Sequence, residues 1–116
     1  MDPNLPKQYD LTLSLEGKKV PLIPYIINTC GHIFLATIKD LEGCGPNEWD
    51  KQIICTIDPS NDMKSRLILS IGDNIITLKP FIQDMIWKTL AGFISSLKKV
   101  PDNLLQLTIE LKLTRV

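Results

Sequence analysis

A thiol and the chain's single imidazole stand two residues apart in Cys30-Gly31-His32. A cysteine beside a histidine is the raw material of an activated nucleophile, and with further donors it would hold a metal ion. Cys44 and Cys55 complete the thiols, and carboxylates occur as Asp40 and Glu42, as Asp58 and Asp62, and as Glu110. No second cysteine pair at metal-ligand spacing accompanies Cys30, and no loop of the form Gly-x-x-x-x-Gly-Lys-Ser is present to cradle a phosphate. Whether thiol and imidazole can meet depends on the element that carries them.

That element reads as a helix. Pro24 suits a first turn, where its missing N–H has no intrahelical partner. The apolar stripe Ile26, Cys30, Ile33, Phe34, Thr37 and Leu41 recurs at three- and four-residue steps, so the helix should run to about Glu42, where Gly43, Gly45 and Pro46 end it. Positions 30 and 32 of a helix point to opposite sides, which sends Cys30 toward the core and His32 toward solvent. The carboxylates fall at a helix end and in turns and form no pair suited to acid/base work.

Before the helix, residues 1–8 are polar with two prolines and read as a leading tail. Leu11, Leu13 and Leu15 then alternate with Thr12 and Ser14 as a strand, Glu16-Gly17-Lys18 turns the chain, and Val20 and Leu22 continue on a return strand. After the helix, residues 43–51 form a loop and Ile53, Cys55 and Ile57 a third strand, stopped by Asp58-Pro59-Ser60-Asn61-Asp62.

The same order of elements then begins again. Shifted by 56 places, residues 11–43 align on 67–99 without a gap and with eight identical pairs, among them Leu11/Leu67, Ser14/Ser70, Pro24/Pro80 and Ile38/Ile94. Composition alone would give roughly two. A last strand, Leu105, Leu107 and Ile109, should follow a shorter loop and answer Ile53, Cys55 and Ile57. The chain therefore reads as one α+β domain of two ββαβ units, 9–58 and 66–112, joined by a linker at 59–65. The expected architecture is a two-layer sandwich, a six-stranded, mostly antiparallel sheet with both helices on one face, related by a pseudo-twofold axis.

The duplication serves as an internal control. Cys30 answers Ile86 and Cys55 answers Leu107, so both are expected to be buried apolar side chains; His32 answers Lys88 and should be solvated. Cys44 lacks an apolar counterpart and reads as the exposed thiol. Trp87 answers Gly31, on a flank of the stripe with Ile38 and Ile94, so the indole is expected to lie over the space left by the glycine where the helices meet. On the outer sheet face the first unit presents Thr12, Ser14, Lys19 and Thr56. Ile54, Ile68, Ile75 and Thr77 give the rest of that face an apolar patch of the kind that meets a partner.

Composition narrows the partners. Thirteen basic and thirteen acidic residues cancel, which argues against nucleic acid and against a basic membrane patch. An odd number of cysteines and the lack of a long apolar run fit a soluble cytoplasmic protein.

The second half, from Leu67-Ile68-Leu69-Ser70-Ile71-Gly72 through Ile76-Thr77-Leu78-Lys79-Pro80-Phe81-Ile82, then Ser96-Leu97-Lys98-Lys99 and Leu107-Thr108-Ile109-Glu110-Leu111, resembles a group of small bacterial and archaeal ββαβ proteins. Some of these are labelled with molybdopterin-guanine dinucleotide biosynthesis. The resemblance implies an accessory role in that pathway, with a pterin or nucleotide held in the groove between the units, and transfers no catalytic residue. Here Ile23 and Lys79 precede the prolines, where a capping side chain would serve better. The residues themselves favour a non-enzymatic binding or assembly module, without a cofactor or metal, that self-associates or meets a protein through the outer sheet face; a small-molecule ligand is the alternative.

Overall fold

The computed structural model describes residues 6–62, 65–97, 100–101 and 103–116. The start of the leading tail, the middle of the linker and the Lys98-Lys99 pair lie outside the described residues. The strands are β1 (Tyr9–Leu15), β2 (Lys18–Lys19), β3 (Ile53–Ile57), β4 (Leu67–Ile71), β5 (Asn74–Ile76) and β6 (Ile109–Arg115); the helices are α1 (Pro24–Ile38) and α2 (Pro80–Ile94). Every strand pairing is antiparallel, in the order β2-β1-β6-β3-β4-β5.

Alternation decides which side each residue takes. Leu11, Leu13 and Leu15 of β1, Ile53, Cys55 and Ile57 of β3, Leu67, Leu69 and Ile71 of β4, and Ile109, Leu111 and Leu113 of β6 are all buried, while the residues between them are exposed or half-buried. One face is thus covered and one is wet. Both helices lie on the covered face, α1 against β1, α2 against β4, and each against the other.

The two-residue hairpins fix the registers. In the first, Glu16 and Gly17 both have positive φ (50° and 80°), as a type I′ turn requires; in the second only the leading residue, Gly72, does (59°). Glu16 holds its strained conformation because its backbone N–H donates to Thr108 O (2.8 Å) while its carboxylate accepts from Thr108 N–H (2.6 Å).

Both helices open on proline with no side-chain cap at Ile23 or Lys79, as the residue types imply. Helix α1 stops at Ile38, short of Glu42. Leu41 N–H donates to Ile38 O and Cys44 N–H to Leu41 O, a pair of tight turns that Gly43 completes at φ 80°. The chain departs early because this turn buries Cys44, and its carbonyl then accepts from Trp49 Nε1 at 2.9 Å.

The buried face of α1 also differs from the expected stripe. Ile27, Asn28, Cys30, Gly31, Phe34, Leu35 and Ile38 face inward, whereas Ile26, Ile33, Thr37 and Leu41 are only half-buried. The return strand is shorter than expected too: β2 stops at Lys19, with Val20 and Leu22 packed as half-buried residues beyond it. Thr77, expected in a strand, lies just past the end of β5.

The last strand requires a correction. It begins at Ile109, while Leu104–Gln106 forms a 3₁₀ turn and Leu107 precedes the strand. Cys55 therefore faces Leu111 across the sheet, Ile53 faces Leu113, and Ile57 faces Ile109. Glu110 lies in β6 opposite Thr56, away from any turn equivalent to that of Asp58.

Candidate functional site

The apparent reactive cluster does not assemble. Cys30 is buried in the core and His32 is exposed on the other side of α1. The partner of His32 is Tyr9, whose hydroxyl is 2.9 Å from Nδ1 and whose ring meets the imidazole edge-on, centroids 5.2 Å apart. That contact spans 23 residues of sequence, and no local pattern announces it. Among the described residues, no group of three or more His, Cys, Asp or Glu side chains comes together to hold a metal ion.

Cys44 corrects the expectation of an exposed thiol: all three cysteines are buried and unpaired. Burial pushes the Cys30 and Cys55 thiols up to about 12 from an ordinary 9.0, and raises Cys44 as well, with Glu48 adding to the effect. Since the thiolate is the reactive species, the folded protein should resist iodoacetamide at neutral pH over a period in which the urea-unfolded chain takes three adducts, counted by mass spectrometry. Rapid labelling of the native state would contradict this. The same shifts tie stability to alkaline pH. Unfolded thiols ionise above about pH 9 while Cys30 and Cys55 stay protonated in the fold, so their contribution is complete below that pH and declines as pH rises toward 12.

The nearest neighbour of Gly31 is Tyr9. A Cβ on Gly31 would overlap the ring of Tyr9, whose Cε2 and Cγ lie 2.7 and 2.9 Å away, so the strand residue Tyr9 fills the space beside the glycine. Trp87 is half-buried at a separate groove of about 520 Å³, lined also by Pro59, Arg66, Leu67, Pro80, Phe81 and Asp84.

The outer sheet face is asymmetric. On β1 and β6 it carries Asp10, Thr12, Ser14, Glu110, Lys112 and Thr114. On β3 to β5, Ile54, Ser70 and Ile75 lie in register across three strands, with Thr56 and Ile68 in the adjacent row. Ile68 is 41% and Ile75 73% exposed, Ile54 is half-buried, and Thr77 is exposed at the margin.

A second groove, about 300 Å³, lies where the entrance to α1 meets the residues after α2. Val20, Pro21, Leu22, Ile23, Ile26 and Leu97 line it, and their side chains offer a pterin or a phosphate no hydrogen-bonding group. No helix among the described residues is long and apolar enough to cross a membrane. Comparison with protein-family models, with curated proteins and with solved structures yields no match to this chain.

Proposed function

We propose that this chain is a duplicated ββαβ protein that works as a non-enzymatic binding or assembly module through the apolar half of its outer sheet face. The duplication is supported by an offset of 56 that runs through nearly every element. It carries Pro24–Ile38 onto Pro80–Ile94 and the start of β3, Ile53, onto the start of β6, Ile109. It carries the Leu11↔Leu113 pairing onto Leu67↔Ile57, and Ser14↔Lys19 onto Ser70↔Ile75. Exchanging the two sets of strands reverses the sheet order into itself, as a twofold axis between β3 and β6 demands.

The observation behind the binding role is the exposure of Ile68 and Ile75 on an open sheet face whose other half is polar. Apolar side chains gathered on one side of such a face lower the free energy when another surface covers them and removes them from water. Sedimentation velocity across a range of concentrations tests this. Self-association is expected for the wild type and its loss for Ile68→Lys/Ile75→Lys, with far-UV circular dichroism unchanged. A wild type that stays monomeric at every concentration, and that captures no partner through this face, would remove the reading.

A further inference from the structure

The sheet ends on each side in the second strand of a hairpin, and the two ends are finished differently. β2 closes one side and β5 the other, and among the described residues each pairs with a single neighbour. Lys18 and Lys19 of β2 hold the places of Asn74 and Ile75 of β5, since Lys18 lies opposite Leu15 and Asn74 opposite Ile71; two residues further on, Pro21 answers Thr77. A bare edge strand recruits other strands, and lysine and proline are the residues that prevent it. The first edge carries both. The second carries neither: Asn74, Ile75 and Thr77 are exposed, Ile75 by 73%, and Ile76 is half-buried.

The hairpin also decides which backbone groups this edge presents. A two-residue turn is closed by a hydrogen-bonded pair, here Ile71 and Asn74, and such pairs alternate along an antiparallel ladder. Asn74 and Ile76 therefore direct their backbone groups toward β4, as Val20 does toward β1 in the first hairpin, its N–H donating to Leu13 O (2.8 Å). Ile75 directs its N–H and C=O away from the sheet. Just past the strand, the backbone groups of Thr77 have no hydrogen-bond partner among the described residues.

We infer that β5 is the joint of a dimer, pairing antiparallel with β5 of a second copy about a twofold axis at Ile76 and joining two six-stranded sheets into one. This joint presupposes the self-association proposed above for the apolar half of the sheet, and places it at the edge. With the axis at Ile76, Ile75 lies opposite Thr77 of the second copy and Thr77 opposite its Ile75, so the outward-facing groups exchange N–H···O bonds on both sides of the axis. Charge fixes the occupant and the register together. The same pairing sets Asp73 opposite Lys79 of the second copy and Lys79 opposite its Asp73, opposite charges on one face of the sheet, where cross-strand pairs attract. Both residues are exposed, and among the described residues neither makes an ion pair. Lys79 already has extended backbone (φ −65°, ψ 149°). The row Ile54-Ser70-Ile75 of each copy then runs on into Thr77 and the neighbouring Ile68 of the other, which merges the two apolar patches into one surface across the axis.

The test measures dimerisation of the full chain by sedimentation velocity, with variants that separate the edge from the face. Asp73→Lys alone and Lys79→Asp alone each set like charges against one another at both contacts, and each is expected to dimerise at least about tenfold more weakly than wild type. An equimolar mixture of the two variants forms a heterodimer in which both contacts pair opposite charges, so its affinity is expected to return to within about threefold of wild type. Recovery in the mixture also shows that both variants are folded. Thr77→Pro, which copies Pro21 onto the second edge and removes an N–H of the joint, should weaken dimerisation by at least about tenfold. Ile68→Lys, one strand in from the edge, should change it by less than about threefold. A mixture that associates no more tightly than its components, a folded Thr77→Pro variant that dimerises like wild type, or a wild type that stays monomeric at every concentration would overturn the proposal. Loss of the dimer in Ile68→Lys but not in Thr77→Pro would move the contact from the edge to the outer face, overturning this joint while leaving the proposed self-association standing.

Discussion

Phe34→Ala is expected to lower the free energy of unfolding by about 3–5 kcal/mol, and Ile38→Ala by about 2–5 kcal/mol. Both side chains are fully buried between α1 and the sheet, so truncation removes their transfer free energy and leaves a cavity that close-packed neighbours refill only in part. Ile33→Ala, on the half-buried flank, should cost about 1 kcal/mol or less, because water already reaches part of the side chain and alanine favours the helix. Urea unfolding checks the contrast through midpoints at unchanged slope. Equal losses at 33 and 38 would mean that the helix is rotated from the phase described.

That contrast marks the boundary of what periodicity conveys. A strand has two faces, and Leu11, Leu13 and Leu15 against Thr12 and Ser14 leave no choice between them. Helix α1 has apolar residues at 25, 26, 27, 30, 33, 34, 35 and 38, nearly all round its circumference, so several stripes fit the spacing equally well. Packing chooses among them. Ile38 and Ile94 are both fully buried, and the phase follows from the packing of α1 against α2 and β1, which the sequence does not display. The last strand illustrates a different loss. Leu105, Leu107, Ile109, Leu111 and Leu113 all share one parity, so alternation gives the face correctly and leaves the starting residue open. The unbroken offset of 56 from Ile53 points to Ile109, a stronger constraint than loop length.

The candidate sites were legible to different depths. Ile68 and Ile75 follow from strand parity and are exposed as expected. The groove beside Trp87 was not visible, because its members come from the β3 to β4 connection, the start of β4 and the first two turns of α2. The one sequence signal lay in the substitutions between the halves: Tyr9 to Ser65 and Gly31 to Trp87 exchange a large strand residue and a small helical one for the reverse.

Gly31→Trp is the substitution that uses this exchange most directly. Alone, it drives an indole into the space where even a Cβ meets the Tyr9 ring, and Tyr9 cannot withdraw without losing its buried position and its contact with His32. Overpacking of this kind costs about 1–3 kcal/mol, and more where the backbone cannot shift. Here the backbone is tied down, since Asn28 holds Gln8 and Val116 N–H donates to Gln8 O (3.0 Å). Tyr9→Ser alone should also destabilise, by emptying the space over Gly31. Together the two changes recreate the Ser65/Trp87 combination of the second half, so the double variant is expected to recover much of the loss. Residues in contact couple by about 0.5–3 kcal/mol, and a recovery of at least 1 kcal/mol beyond additivity in the urea-unfolding cycle is the expected sign. Strict additivity would mean that the two halves are not interchangeable at this strand-helix contact, and would detach Trp87 from the place of Gly31.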